Sequence, residues 1–327
     1  MRTTTSCTEQ AALPRHPQCL CSLIETFSAR PSKAMQQQGC PTGLLRRGDG
    51  DVQLVQLHMK YDRDARRDMA EFCLLRHGSP EWELKEPVPI IMDQGGNHVE
   101  QLRLRWGIDT IIPLGDRFLC WARYKSGFLL CDMADDTSPK VRYVSLPHGM
   151  RWDPKEYERD MSIKNSMNMG ASGPSTLRFV TINPHCCCGG AGKSTCVHSR
   201  YAFTINTTWL MNLRMDEHLT WVKDGEIDCD ELWALPGYER LPRTNPLCPV
   251  VCLDNPDDVC FLVWNYPIVS GYEDRKLWMI HLNVKTKTLL SVVQYDDDRR
   301  GAYNHLPARL HCSPANTGLG RLQRSVE

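Results

Sequence analysis

The sequence lacks the features that mark secreted, membrane-spanning and nucleic-acid-binding chains. Its first ten residues, MRTTTSCTEQ, contain no apolar segment of the kind found in a secretory signal. Apolar runs stay well short of the roughly eighteen residues that cross a bilayer. Lysine plus arginine and aspartate plus glutamate balance at 39 each, which gives no net attraction to nucleic acid or a membrane surface. We expect an intracellular protein of the cytoplasm or nucleus, with import into an organelle left open.

Cysteine is abundant, with 16 residues, but the export signal that accompanies a disulfide framework is missing. Several cysteines stand singly inside apolar runs, where a thiol acts as a small buried hydrophobe: Cys73, Cys120, Cys131 and Cys260. This pattern favours a reducing compartment.

Helical patterns are scarce, and the chain instead repeats a strand-like run followed by a hairpin. Four such units cover residues 51–90, 117–147, 177–227 and 258–295. Their turns are rich in Gly, Pro, Asp and Asn, and their strands in branched and aromatic residues. The pattern predicts an all-β fold, an irregular β-propeller-like array of about four antiparallel hairpin units, with a β-sandwich as the alternative.

The two ends of the chain differ in composition from the middle. Residues 1–48 mix Thr, Ser, Pro, Gln and Arg without an apolar period, which is typical of a disordered segment. Residues 299–327 have the character of a loose tail. The folded region is therefore predicted over residues 49–298.

The stretch HCCCGGAGKSTCVH, residues 185–198, resembles a phosphate-binding loop at Gly192-Lys193-Ser194. The leading glycine of that motif is replaced by Cys187. The strand-like run RYAFTIN follows, so no helix N-terminus is present to hold a phosphate. A nucleotide-binding enzyme is thus an alternative rather than the main interpretation.

The same stretch is crowded with soft metal ligands. Candidate metal ligands are His185, Cys186, Cys188, Cys196 and His198. Their spacings, CxC and CxH, differ from the usual two-residue gap of zinc knuckles. No cofactor is expected from the rest of the sequence, and zinc at this loop remains an open alternative to an ordinary strand connection.

The sequence contains no convergent set of nucleophile, acid and base. No Gly-x-Ser-x-Gly elbow is present. The carboxylate-rich stretches DCDE, DNPDD and DDD, at 228–231, 254–258 and 296–298, suit turns as well as they suit a cation site. We therefore expect no enzyme and no catalytic residues.

The middle of the chain carries five characteristic runs: DTIIPLGDRFLCWARYKSGFLLCDM, KVRYVSLP, RFVTINPHCCCGGAG, LTWVKDGEIDCDELWALPGY and EDRKLWMI. In these runs the chain resembles the plant domain-of-unknown-function family 1618 (DUF1618), which is expanded in grasses. The resemblance implies a β-propeller-like domain with a role in protein interaction, although no F-box-like helical segment accompanies it here. The expected function is a non-catalytic module that binds an unknown protein partner, with a zinc-stabilised module based on the 185–198 loop as the alternative.

Overall fold

The computed structural model describes residues 42–48, 51–92, 107–124, 126–147, 165–186, 202–252, 255–265 and 276–295. Its strands fall into four consecutive groups, which we call units 1 to 4. This part of the chain has no helix with the length and hydropathy of a transmembrane segment.

The strands of units 1 and 2 follow one another closely along the chain. Unit 1 contains β1 (Thr42–Arg47), β2 (Asp51–Asp62), β3 (Arg67–Arg76), β4 (Glu83–Leu84) and β5 (Val88–Met92). Unit 2 contains β6 (Thr110–Leu114), β7 (Phe118–Arg123), β8 (Gly127–Asp132) and β9 (Lys140–Ser145).

The strands of units 3 and 4 form two further sheets. Unit 3 contains β10 (Met167–Ala171), β11 (Leu177–Pro184), β12 (Phe203–Leu210) and β13 (Trp221–Asp228), followed by the helix α1 (Cys229–Trp233). Unit 4 contains β14 (Leu247–Val251), β15 (Asp258–Trp264), β16 (Leu277–Asn283) and β17 (Thr288–Tyr295).

Within the units, neighbouring strands are antiparallel and joined in chain order. Units 3 and 4 each form a separate four-stranded sheet. Units 1 and 2 form one nine-stranded sheet, because β5 pairs antiparallel with β3 and parallel with β9. The first strands of the units contact one another in succession, β1 with β6, β6 with β10, and β10 with β14. The predicted all-β, propeller-like array of four hairpin units is confirmed.

The three largest layers of the hydrophobic core are each shared by two neighbouring units, and two smaller clusters lie within unit 4. Phe72 of unit 1 packs near Trp121 of unit 2, with ring centroids 6.3 Å apart. Between units 2 and 3, Phe128 meets Trp221 edge-on. Unit 4 meets unit 3 through residues such as Phe261. Because units 2 and 3 are covered on both faces, β8 is buried along its whole length.

The first strand of each unit was not predicted from the sequence. In units 2 and 4 this strand contains a proline, Pro113 or Pro249, and in unit 3 it contains Gly170. Proline and glycine normally argue against a strand interior. In unit 1 the strand β1 lies inside 1–48, the stretch with the composition of a disordered segment, so ordered structure is already present at Thr42.

Candidate functional site

The predicted metal-binding loop connects β11 to β12. Pro184 of β11 is in register with Phe203 of β12, so strands flank the connection on both sides, as the sequence indicates. His185 and Cys186 are half-buried at the end of β11. Cys188, Cys196 and His198 lie outside the described residues, as do Gly192, Lys193 and Ser194. The zinc and nucleotide interpretations of this loop therefore stay predictions.

The carboxylate of Asp228 lies beside His185 and also caps the adjacent helix α1. The Nε2 of His185 lies 3.3 Å from Oδ2 of Asp228. Asp228 is the N-cap of α1: its side chain accepts a hydrogen bond from the N–H of Asp230, while Glu231 accepts one from the N–H of Asp228. This capping box accounts for the DCDE stretch as a helix start. Burial raises the pKa of Asp228, but the Asp230 N–H and His185 outweigh that effect and hold it below its usual value.

The described part of the DNPDD stretch, residues 255–258, is likewise a turn before β15. The side chain of Asn255 accepts a hydrogen bond from the N–H of Asp257, and the Asn255 carbonyl accepts one from the N–H of Asp258. Asn and Asp are common in such turns because their side chains satisfy nearby backbone groups.

A compact group of soft ligands, which we call the unit 4 thiol cluster, consists of Cys252, Cys260 and His281. The Sγ of Cys252 lies 3.7 Å from the Sγ of Cys260 and 3.7 Å from Nε2 of His281. All three ligand atoms lie within 4.8 Å of one another. Both cysteines are buried, and the His281 side chain is 15% exposed, so one edge of the cluster reaches solvent. Cys252 takes part in a disulfide bond.

Strand pairing explains why these residues meet. Cys260 on β15 is directly opposite His281 on β16, and the N–H of Cys252 donates to the carbonyl of Asp258 just after β14. Asp258 borders the cluster: its Oδ2 lies 3.3 Å from Nε2 of His281, and its Oδ1 accepts a hydrogen bond from Asn283 at 2.7 Å. Burial, with a smaller contribution from Asp258, raises the pKa of Cys260 to about 12.

The sequence predicts that Cys260 is a buried thiol, and the structure confirms it, together with Cys73, Cys120 and Cys131. The sequence did not predict the cluster. The three ligands come from separate places along the chain and follow no zinc-binding spacing. The available signal was the cross-strand pairing of Cys260 with His281, which requires the register of β15 and β16.

A second buried polar group joins units 3 and 4. The fully buried guanidinium of Arg178 on β11 lies 3.1 Å from carboxylate oxygens of both Asp224 and Asp257. Its Cζ stacks 4.3 Å from the ring centroid of Trp209. Thr207 donates a hydrogen bond to the other oxygen of Asp224. These contacts connect β11 to β13 and to the turn before β15.

The last strands of the units differ in what protects their edges. In unit 2, β9 is covered by β5. In unit 3, the edge strand β13 carries Lys223, Asp224 and Glu226, and charges of this kind discourage pairing with another chain. In unit 4, the edge strand β17 reads TLLSVVQY and has no charged residue.

Three apolar side chains of β17 are exposed, while Leu289 packs against the core shared with unit 3. Leu290, Val292 and Val293 expose 46%, 39% and 40% of their surface. Adjacent residues of a strand point to opposite faces, so Val292 and Val293 place exposed apolar groups on both faces of this edge. An uncharged, apolar edge strand is the surface on which an extended peptide can pair.

The family model described as "Protein of unknown function (DUF1618)" matches residues 121–260, from within β7 to within β15. This match supports the resemblance of the chain to the DUF1618 family. It extends over most of units 2 and 3, which contain the runs GFLLCDM and RFVTINP. A search of curated proteins gives no match.

Three solved structures resemble the chain at low identity. An α-L-arabinanase of Penicillium chrysogenum, complexed with arabinobiose, is 11% identical with a TM-score of 0.37 and covers 81% of this chain and 69% of its own. The α-L-arabinofuranosidase Arb93A of Fusarium graminearum is 10% identical with a TM-score of 0.34, covering 82% and 68%. A thermostable family-43 glycoside hydrolase is 13% identical with a TM-score of 0.20, covering 81% and 75%.

The expectation that the chain is not an enzyme is contradicted by these neighbours, because the three proteins are glycoside hydrolases. That expectation is wrong as stated and is not carried further. Because these TM-scores are below 0.5, we infer no substrate, reaction or catalytic residue for this chain from those proteins.

Proposed function

We propose that this DUF1618-type chain binds a partner protein by strand addition, in which an extended segment of the partner pairs with β17. The observation that carries the proposal is the contrast between edges: β9 is covered, β13 is charged, and β17 is uncharged and apolar. Backbone hydrogen bonds to the edge supply affinity, and alternate side chains supply specificity. The proposal concerns binding and is independent of any reaction the chain catalyses.

The sequence of β17 suits this role in two respects. Val292 and Val293 are β-branched, so they hold an extended conformation and lose little side-chain freedom when a strand packs beside them. Val293 is in register with the half-buried Met279 of β16, and Val292 with the buried Ile280, so the exposed edge is anchored to a packed strand. The preferred partner segment is therefore extended, uncharged and rich in apolar residues.

Charge substitutions on the two edges test the proposal. Val292→Lys together with Val293→Lys on β17 is expected to abolish capture of partner proteins from grass leaf extract, because a charged edge disfavours pairing. The matched control is Val222→Lys on β13, where the wild-type side chain is 47% exposed, and this variant is expected to capture the same proteins as the wild type. Equal capture by both variants and the wild type would refute the proposal.

The plant origin and the intracellular location belong to the same proposal. Cys120, Cys131 and Cys229 are buried and in no disulfide, which is typical of a reducing compartment, whereas Cys252 takes part in a disulfide. Fractionation of leaf cells with an antibody to the chain is expected to place it in the cytoplasm or nucleus.

A further inference from the structure

We propose that the unit 4 thiol cluster is a zinc site, formed by Cys252 Sγ, Cys260 Sγ and His281 Nε2 when Cys252 is reduced. The inference is independent of the partner binding proposed above. It assigns a metal to residues distant in sequence from the 185–198 loop.

Two of the three distances between the ligand atoms, both measured from Cys252 Sγ, are close to those around a tetrahedral zinc ion. With Zn–S near 2.3 Å and Zn–N near 2.0–2.1 Å, tetrahedral angles place two sulfurs about 3.8 Å apart and a sulfur and nitrogen about 3.6 Å apart. The observed separations from Cys252 Sγ are 3.7 Å to Cys260 Sγ and 3.7 Å to His281 Nε2. Two thiolates and one imidazole are also the ligand types that zinc prefers.

The surroundings of the cluster hold the three ligands in place. Cys260 and His281 are fixed opposite each other on paired strands, and Cys252 is held by its backbone bond to Asp258. The carboxylate of Asp258 lies beside Nε2 of His281 and is oriented by Asn283. Partly buried sites that keep three protein ligands bind a water or a further ligand in the fourth position. Here the neighbouring carboxylate of Asp258 adds negative charge around the ion.

The oxidation state of Cys252 decides whether the site exists. In the disulfide state its sulfur is not a thiolate, so the cluster lacks one of its two sulfur ligands. A dithiol reductant converts the disulfide to two thiols and is itself oxidised to a disulfide, which transfers two electrons and two protons. Zinc then binds as Cys252 and Cys260 release their protons to solvent.

Cobalt(II) is a suitable probe, because it takes tetrahedral zinc sites and its thiolate bonds absorb in the near ultraviolet. Reduced full-length protein is expected to bind Co²⁺ with a two-thiolate charge-transfer band and to lose that band when Zn²⁺ displaces it. Cys260→Ser and His281→Ala are each expected to weaken or remove the band. Cys120→Ser, which removes a buried thiol of unit 2, is the matched control and should leave the band unchanged.

A second pair of measurements separates this site from the 185–198 loop and from misfolding. The double variant His185→Ala and Cys186→Ser should keep the cobalt band, because neither residue belongs to the cluster. The unsubstituted protein with Cys252 oxidised should lose the unit 4 band, which tests the site without any substitution. A reduced protein that binds no cobalt, or a band that persists in Cys260→Ser and in the oxidised protein, would overturn the assignment.

Discussion

At the scale of single residues, a few buried polar side chains connect otherwise apolar sheets. Arg178 is the clearest example, because it is fully buried and its partners come from β13 and from the turn before β15. Removing one member of a buried ion pair leaves the other charges without compensation, which costs more than the pair itself contributes. The residue was not singled out from the sequence, since nothing in LRFVTINP indicates that its arginine points inward.

Arg178→Ala is expected to lower the free energy of unfolding by about 3–5 kcal/mol, because Asp224 and Asp257 lose their buried partner. Urea unfolding followed by tryptophan fluorescence measures the change. Arg214→Ala is the control: its side chain is 61% exposed and pairs with Glu217, so a loss of no more than about 1 kcal/mol is expected. Similar small losses in both variants would show that the Arg178 contacts do not stabilise the fold.

The lowered pKa of Asp132 leads us to expect that the stability of the fold depends on pH. Burial raises the pKa of Asp132, but two hydrogen bonds from Arg117 and one from the Ala134 N–H outweigh burial and hold the pKa below its usual value. A carboxylate with a lowered folded pKa stabilises the protein above its unfolded pKa, and this stabilisation is lost as pH falls through the folded pKa.

Asp132→Asn should therefore be less stable than the wild type at neutral pH, with a difference that shrinks below about pH 4. Urea unfolding at a series of pH values measures both curves. A difference that stays constant from neutral pH down to the acid limit would show that the ionised carboxylate is not the source of the stability.

At the scale of elements, the sequence predicts the second, third and fourth strands of each unit well, because their alternation and turns follow local rules. The first strands escape prediction for a tertiary reason. Gly170 of β10 faces Val251 of β14 so closely that an added Cβ would lie 2.8 Å from the valine Cβ. At this position β10 approaches β14 too closely for a side chain, and such a requirement between units leaves no local sequence pattern. The thiol cluster and the β17 edge depend on register and sheet order in the same way.

A substitution at Gly127 tests how closely β8 packs against β9. Gly127 lies in β8 opposite Ser145, and a Cβ there would meet the carbonyl oxygen of Val144 at 2.3 Å and the ring of Tyr143 at 2.9 Å. Gly127→Ala is expected to destabilise the fold by about 1–3 kcal/mol, because the neighbouring strand must shift.

Gly107→Ala is the matched control for that substitution, since an added Cβ there meets nothing within 4 Å. The free energy of unfolding of this variant, measured by thermal denaturation, should stay within about 0.5 kcal/mol of the wild-type value. Equal effects at the two glycines would contradict the close packing of β8 against β9.

At the scale of the whole molecule, four units in three sheets stack so that each of the three large hydrophobic layers belongs to two units. This arrangement leaves the outer edges of the sheets as the places where units differ. Among the described residues, unit 4 ends in an uncharged apolar strand at the edge of its sheet, whereas the uncharged last strand of unit 1, β5, is paired with β3 and β9. Function is therefore expected at an edge rather than in the shared layers, and the β17 edge is the central claim of the proposed function.

Amide hydrogen exchange of the chain with and without its captured partner tests that claim most directly. Strand addition places new hydrogen bonds on the outer edge of β17, so amides within Thr288–Tyr295 should exchange more slowly in the complex, while those of Trp221–Asp228 in β13 should not change. Unchanged exchange in β17, with protection appearing on another surface of the bound chain, would contradict the account.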